Sequence, residues 1–215
     1  MNQLIQGWIE FWPYALLIIV LMSWGLYHFL APAGWRERAG AGVVQAFIIA
    51  LYAEMYGFPL TVYLLASFLP QKLPLVHSSG HLWSALLGAG ETGAVIETLI
   101  GYSILTVGAL LIVKGWVRIH FAEGQFTDNG PYGLLRHPQY AGIFLIVIGE
   151  IIDWPTILTI ILAPVIFGMY IRLARREESA MVVKFGKKYR YYQKCVPMFV
   201  PEWRKLVSTF LSHSR

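Results

Sequence analysis

Long apolar runs separated by short polar segments dominate this chain. Three runs cover residues 13–31, 42–69 and 94–117, and a fourth zone covers residues 138–172. A helix rises 1.5 Å per residue, so each run is long enough to approach or cross a hydrocarbon core about 30 Å thick. The pattern predicts an all-α integral membrane protein.

Two of the runs contain residues that interrupt helices. Residues 42–69 would form a straight helix of roughly 42 Å, and the Gly-Phe-Pro tripeptide at residues 57–59 is its natural break. The Asp-Trp-Pro tripeptide at residues 153–155 divides the fourth zone into helices of roughly 15 and 17 residues. We expect a tight hairpin there, with Pro155 in the first turn of its second helix. The total is a bundle of about five transmembrane helices.

Beyond Arg172 the chain becomes polar and basic but keeps apolar residues at helical spacing. These are Leu173, Met181, Val182, Phe185 and Tyr189. The spacing predicts a C-terminal amphipathic cytoplasmic helix, which lies on the membrane surface or under the bundle.

Composition supports a membrane location. Of the 215 residues, 57% are hydrophobic and 13% are charged, about half the charged fraction of a typical soluble domain. A soluble protein of this size has too little interior to bury so much apolar surface, so lipid must cover the rest. The single cysteine, Cys195, excludes an internal disulfide framework.

The basic residues indicate the orientation. Of the 17 Lys and Arg residues, all but Lys72 fall in the set of alternate loops that includes the C-terminal tail. Because such residues are enriched on the cytoplasmic side, we expect a multi-pass protein with five helices and a cytoplasmic C-terminus. The net charge of +5 is then a topology and membrane-surface signal. No aromatic-basic motif accompanies it, so we expect no nucleic-acid binding.

The first stretch that contains candidate functional residues runs from Gly130 to Gly142. An Asn-Gly-Pro turn precedes Arg136 and His137, and Pro138 takes the first position of the next helix. Free backbone amides at a helix start attract anions, and Arg136 adds a fixed positive charge. The small Gly142 would let a flat ligand or a neighbouring helix approach closely.

The second stretch follows the fifth helix and contains the adjacent Glu177 and Glu178. Neighbouring side chains on a helix point about 100° apart, so one can face inward while the other faces basic neighbours. Together the two stretches offer a cation site beside an anion site. That pairing suits a zwitterionic amino-acid group.

Several motifs follow one another in the C-terminal half. They are Gly-Pro-Tyr, Arg-His-Pro-x-Tyr-x-Gly, an interrupted helical hairpin, Arg-x-x-Arg-x-Glu-Glu, Phe-Gly-x-x-Tyr-x-x-Tyr and Val-Pro. Their order, over roughly residues 94–202, resembles the isoprenylcysteine carboxyl methyltransferase and phospholipid methyltransferase superfamily. The resemblance implies a membrane transferase that uses S-adenosyl-L-methionine. Residues 94–215 would form its cofactor-binding core, and residues 1–93 would form the substrate side.

The resemblance also implies roles for individual residues. Its cofactor-binding positions are Tyr132, His137, Pro138, Tyr140, Gly142, Glu177 and Glu178, and the charge argument adds Arg136. The acceptor would be lipidic or small and apolar: a prenylcysteine-like carboxylate, a phospholipid amine or a thiol. Methyl transfer is an in-line displacement, for which the enzyme positions the reactants and excludes water. An amine acceptor must also lose a proton, and His137, Glu178 and Glu54 are the candidate catalytic residues.

Each candidate also has a structural interpretation. Arg136 and His137 could mark a positive membrane boundary, and Glu177 with Glu178 could form a solvated helix face. Glu54 lies inside the second helix, where burying a charge in the membrane costs free energy. Such a residue is by default a candidate for a functional site. The acceptor would then approach from lipid past this residue. The alternative is a neutral, hydrogen-bonded carboxyl beside the kink.

Three other hypotheses remain. His77 and His81 have a metal-ligand spacing, but Ser-Ser-Gly between them favours a loop and no cluster joins them, so we expect no metal. An NADPH-dependent membrane reductase related to sterol reductases would have a similar C-terminal cofactor region, but greater length and more helices. A non-catalytic transporter or assembly factor would not need the paired anion and cation sites.

Overall fold

The computed structural model describes residues 12–30, 35–56, 59–68, 80–122 and 125–201, and most of these residues are helical. No strand occurs among these residues, which confirms the all-α prediction. The helices are α1 Trp12–Gly25, continued by a π-helical segment Leu26–Leu30, α2 Trp35–Tyr56, α3 Leu60–Phe68, α4 Leu82–Leu87 and α5 Gly90–His120. They are followed by α6 Pro131–Leu134, α7 Pro138–Asp153, α8 Ile157–Phe185 and α9 Lys187–Cys195.

Among the described residues, two helices are long and apolar enough to cross a membrane. They are α5, with 31 residues, and α8, with 29 residues. The apolar helical stretches Trp12–His28 and Ala41–Tyr56 are shorter. Large apolar side chains such as Val20 and Leu99 are exposed, as expected where lipid covers the surface. These features support a membrane protein, while the number of five transmembrane helices stays a prediction.

The break at residues 153–155 is confirmed, but one detail of the prediction is wrong. Helix α8 begins at Ile157, so Pro155 precedes the helix instead of lying in its first turn. Thr156 caps the helix, because its Oγ1 accepts the N–H of Thr159 at 3.1 Å. The Oγ1 of Thr159 accepts the N–H of Thr156, also at 3.1 Å. This reciprocal pairing satisfies amides at the helix start and sets the start beyond the proline.

Helix α8 also extends further than predicted. The chain remains helical through Arg172 to Phe185, about 43 Å at 1.5 Å per residue for 29 residues. The expected helix end at Arg172 is therefore wrong, because the change in polarity there ends the apolar segment and not the helix. The helix stops before Gly186, which has a φ of 56°, a conformation that favours glycine.

The predicted C-terminal amphipathic helix stays a prediction, because its apolar residues Leu173 to Phe185 lie on α8 and only Tyr189 lies on α9. Tyr189 and Tyr192 are buried. The exposed side chains include four basic residues, Lys187, Lys188, Arg190 and Lys194. Its location on the membrane surface stays a prediction.

The second apolar run is interrupted where the sequence predicts. Helix α2 ends at Tyr56 and α3 begins at Leu60, and residues 57 and 58 lie outside the described residues. Buried Glu54 accepts the N–H of Thr61 at 2.9 Å through Oε2. The Oγ1 of Thr61 accepts the N–H of Ile157 at 2.9 Å. Glu54 therefore caps α3, and Thr61 caps α8.

Two compact units share these helices. The first unit is Met1–Ser103 with Val147–Met169, and the second unit is Ile104–Ile146 with Tyr170–Arg215. The boundaries between the units fall inside α5, α7 and α8.

Glycines seven residues apart on α5 allow close packing against α7. In the second unit, a Cβ on Gly142 would lie 2.5 Å from the carbonyl oxygen of Gly108, and a Cβ on Gly108 would lie 2.7 Å from that of Gly142. Gly101 and Gly115 also lie against residues of α7. Backbones can approach this closely only where side chains are absent. The partner of Gly142 is thus a neighbouring helix, one of the two partners that the sequence allows.

The segment expected to be a loop between the second and third runs contains α4 and the start of α5. His77 lies outside the described residues. The Nδ1 atom of His81 lies 3.0 Å from the carbonyl oxygen of Asp153 and 3.7 Å from Oε2 of Glu97. In the described part of the chain, no group of three or more His, Cys, Asp or Glu residues is placed to hold a metal ion.

Candidate functional site

The second unit brings together the two stretches that the sequence predicts to bind a cofactor. Arg136 and His137 lie in the connection between α6 and α7, after Leu135 in an extended conformation. Pro138 begins α7, as predicted. Glu177 and Glu178 lie on the polar part of α8. These residues converge because the start of α7 and the polar extension of α8 are adjacent in the second unit.

The backbone before α7 is paired with the C-terminal tail. The N–H of Arg136 donates to the carbonyl oxygen of Pro197 at 2.9 Å, and the N–H of His137 donates to that of Met198 at 3.2 Å. The ring of Phe199 then lies 5.9 Å from the ring of His137. These two amides, close to the helix start that is predicted to attract an anion, are thus occupied by the chain itself.

The side chain of Arg136 is fully engaged by protein acceptors. Its Nε donates to Oε1 of Glu178 at 2.6 Å, and one terminal nitrogen lies 3.5 Å from Oε2 of the same carboxylate. The other terminal nitrogen donates to the carbonyl oxygens of Gln193 and Val196, at 2.7 and 2.8 Å. The guanidinium therefore ties the start of α7 to α8 and the tail. Its role in cofactor binding stays a prediction.

The ring of His137 lies between the two glutamates. Its Nε2 is 3.2 Å from Oε1 of Glu178, and its Nδ1 is 3.4 Å from Oε2 of Glu177. A neutral imidazole has one donor and one acceptor nitrogen, whereas two carboxylate neighbours require two donors. Burial lowers the pKa of His137, but the hydrogen bonds to the two glutamates outweigh burial, and the pKa is raised above 6.5. The geometry fits an imidazolium.

The adjacent glutamates point in different directions, as the helical geometry predicts. Glu178 is enclosed by Arg136, His137 and the side-chain amide of Gln193, whose Nε2 donates to Oε2 at 2.9 Å. The Glu177 side chain is 39% exposed, against 11% for Glu178. The hydroxyl of Tyr140 donates to Oε1 of Glu177. Glu177 is therefore the carboxylate that a ligand can reach.

The four charged groups balance one another. With His137 protonated, as its raised pKa favours, Arg136 and His137 carry two positive charges and the two glutamates carry two negative charges. Tyr140 stacks on His137 with ring centroids 5.5 Å apart and planes 3° from parallel. The charges of the cluster are then balanced, and the Glu177 carboxylate is partly open.

Three tyrosines next to the cluster, Tyr132, Tyr189 and Tyr192, pack within the protein. The hydroxyl of Tyr192 donates to the carbonyl oxygen of Tyr132 at 2.6 Å. Burial raises the pKa of Tyr132 and of Tyr192 well above the usual range, and it raises the pKa of Tyr189 to about 12. All three phenols therefore stay protonated at neutral pH.

Sequence reasoning missed several members of this site. The backbone carbonyl oxygen of Gln193 accepts from Arg136, and its side-chain amide donates to Glu178. No sequence motif includes Gln193. Phe199 covers His137, and only its place after the Val-Pro motif hints at a contact. Gly108 was detectable, because Gly101, Gly108 and Gly115 repeat every seven residues.

Glu54, the third candidate catalytic residue, belongs to the first unit. Its described hydrogen bond is the cap on Thr61, and its Oε1 has no partner within the described residues. The structure thus gives Glu54 a capping contact, and its predicted catalytic role stays a prediction.

The helices and this cluster define the class of protein: a helical membrane protein that contains a cluster of charged, hydrogen-bonded side chains. Residues 93–188 match the family model described as phospholipid methyltransferase. A protein-S-isoprenylcysteine O-methyltransferase of Schizosaccharomyces pombe is 30% identical over 76 residues, which are 35% of this chain and 32% of that protein. The match thus spans about a third of the curated relative. No solved structure matches the chain significantly.

These comparisons confirm the resemblance that the motifs predict. Residues 93–188 are thus similar to phospholipid methyltransferases, and 76 residues of the chain are similar to an isoprenylcysteine methyltransferase. The segment includes Arg136, His137, Tyr140, Glu177 and Glu178, but it ends before Gln193 and the tail that holds Arg136.

Proposed function

We propose that this chain is an integral membrane methyltransferase that uses S-adenosyl-L-methionine. The observation that carries the proposal is the closed cluster of Arg136, His137, Tyr140, Glu177 and Glu178 inside the matched segment. The acceptor is lipidic or small and apolar: a prenylcysteine-like carboxylate, a phospholipid amine or a thiol.

The exposed part of the cluster fits the cationic side of this cofactor. Its amino-acid ammonium and its sulfonium both carry positive charge, and the Glu177 carboxylate is 39% exposed beside the phenol of Tyr140. When bound, the cofactor supplies a methyl group on an electrophilic sulfonium. Glu177 would hold the ammonium through charge-assisted hydrogen bonds, while Arg136 keeps Glu178 neutralised.

The other residues act by positioning. The raised pKa of His137 favours its protonated form, which would donate from both nitrogens and have no lone pair to accept a proton. Glu178 is saturated by three donor groups. A cluster of this kind supports positioning and exclusion of water, the main requirements of an in-line displacement. We therefore assign His137 and Glu178 to positioning the partly open Glu177.

We also propose a multi-pass topology with the cluster and the C-terminus on the cytoplasmic side. The support is the distribution of basic residues, all but Lys72 of which fall in one set of alternate loops. Labelling of Cys195, the single cysteine and the last residue of α9, in intact and opened cells tests it. Labelling from outside intact cells would overturn this topology.

Titration of the full chain with S-adenosylhomocysteine in mild detergent tests the proposed function. We expect saturable binding and about tenfold weaker binding by Glu177→Gln, because a charged hydrogen bond is lost. The matched control is Glu91→Gln, at an exposed position of α5. No saturable binding by the wild type, or tighter binding of NADPH, would sink the proposal.

The acceptor can be found by radiolabelled methyl transfer into a total lipid extract followed by mass analysis of the product. Incorporation into a carboxylate, an amine or a thiol identifies the class. Retention of cellular function by Glu177→Gln and His137→Ala would instead support a non-catalytic membrane protein.

A further inference from the structure

A polar cleft lies at the end of α5 in the second unit, apart from the charged cluster. Its volume is about 290 Å³, and it is lined chiefly by Arg118, Phe121, Gln125, Phe126, Thr127 and Asn129. Within the described residues it combines one cation with one hydroxyl and two amide groups. Such a set of donors suits an anion with several oxygens.

Arg118 differs from Arg136 in that no described residue pairs with its charge. Arg136 donates to Glu178 and to two tail carbonyls. No ion pair or side-chain hydrogen bond involves Arg118 in the described part of the chain, and the same holds for the side chains of Gln125, Thr127 and Asn129. The cleft therefore offers donors that lack acceptors among the described residues.

The floor of the cleft is held in place by aromatic packing. The ring of Phe126 lies 5.5 Å from that of Phe185 and 5.2 Å from that of Tyr192. The Nζ atom of Lys188 lies 4.8 Å from the same ring. Because Phe126 is fixed on several sides, the polar side chains next to it are presented on a firm support.

The end of α5 has the character of a membrane interface. This helix is one of the two that can cross a membrane, and its last residues include Trp116 and His120, whose rings stack at 5.0 Å. The following Phe121 is 77% exposed. Aromatic and basic residues at the end of an apolar helix mark the level of lipid headgroups. Where α5 crosses a membrane, the cleft at its end would lie at the level of the phospholipid phosphates.

We propose that this cleft binds the phosphate group of a membrane phospholipid. Arg118 pairs with the phosphate oxygens, for which a planar guanidinium is well matched. Gln125, Thr127 and Asn129 donate to the remaining oxygens, and Phe121 contacts the apolar part of the lipid. The volume accommodates a headgroup and not the acyl chains. The site is separate from the cluster proposed for methyl transfer, and failure of that proposal would leave this one standing.

The test uses the full chain in dodecyl maltoside, which has no phosphate. The protein is titrated with dioleoylphosphatidylglycerol, with dioleoylglycerol, which has the same chains and no phosphate, and with inorganic phosphate. Intrinsic tryptophan fluorescence and thermal stability report binding. We expect saturable binding of the phosphatidylglycerol alone, weakened about tenfold by Arg118→Gln.

Matched variants locate the site. Lys114→Gln removes one positive charge from an exposed position of the same helix outside the cleft, and we expect it to bind as the wild type does. Thr127→Val removes a hydroxyl donor without changing the charge, and we expect it to weaken binding about threefold. It tests the cleft if Arg118→Gln fails to fold.

Several results would overturn the proposal. Equal binding of dioleoylglycerol would exclude phosphate recognition. Equal binding of inorganic phosphate would exclude a lipid source. Wild-type affinity of both Arg118→Gln and Thr127→Val, or an equal loss in Lys114→Gln, would exclude this cleft.

Discussion

Arg136 and Glu178 form the central ion pair of the cluster, with Nε and Oε1 2.6 Å apart and both side chains largely buried. The pair joins the residue before α7 to the polar end of α8. The tail carbonyls of Gln193 and Val196 occupy the rest of the guanidinium. The site thus depends on one guanidinium that donates to Glu178 and to the tail carbonyls at the same time.

Arg136→Lys should destabilise the protein although it keeps the charge. An ammonium is a point donor and cannot serve Glu178 together with both carbonyls. Leaving buried acceptors without donors costs about 2 kcal/mol, measured as a lower midpoint of thermal unfolding. The control is Arg176→Lys at an exposed position. Equal midpoints for Arg136→Lys and the wild type would contradict the assigned role.

The stabilising effect of His137 should depend on pH. Burial opposes its protonation, but contacts with Glu177 and Glu178 dominate and raise its pKa above 6.5. Tyr140 and Phe199 also face the ring, and Arg136 is bound to Glu178. A raised pKa means that the contribution is fully present below about pH 6.5 and is lost as pH rises through the folded-state value.

Thermal unfolding of the wild type and His137→Gln between pH 5.5 and pH 9 measures this effect. The difference between them should be largest at low pH and shrink at high pH. His120→Gln, on the exposed end of α5, is the control. A difference that grows with pH would contradict an imidazolium between the glutamates.

Gly142→Ala should be strongly destabilising. The added Cβ would lie 2.5 Å from the carbonyl oxygen of Gly108, and backbone cannot rotate away. Such overpacking costs about 2 kcal/mol or more. Gly168→Ala is the matched control, since no atom lies within 4 Å of its added Cβ, and alanine should gain about 0.5–1 kcal/mol of helix stability there. Similar unfolding midpoints for the two variants would refute the close packing.

Glu54→Gln distinguishes a helix-capping role of Glu54 from a role as general base. Glutamine keeps an oxygen acceptor for the N–H of Thr61, so we expect an unchanged unfolding midpoint and methyl transfer within about tenfold of the wild type. Loss of a general base costs about 100-fold or more, and such a loss would restore the catalytic interpretation. Glu54→Leu leaves the Thr61 amide unsatisfied and should lower stability by about 1–3 kcal/mol.

Local rules accounted for the helix breaks and the divergent glutamates. Proline lacks an amide proton, so the interruptions before Leu60 and Ile157 and the start of α7 at Pro138 follow from single residues. The 100° step between neighbours explains why Glu178 is enclosed while Glu177 stays partly open. These features involve residues close in the chain, and the sequence by itself determined them.

Only the tertiary structure decided what each charged group contacts. Arg136 is engaged by Gln193 and Val196, more than 50 residues away, and Gly142 meets Gly108 on another helix. The polarity pattern also placed the end of α8 at Arg172, although Arg, Glu and Ala favour helix and the chain stops only before Gly186. A sequence pattern reports local propensity and solvent preference, whereas long-range partners depend on which segments pack together. That no described residue pairs with Arg118 is likewise visible only in the tertiary structure.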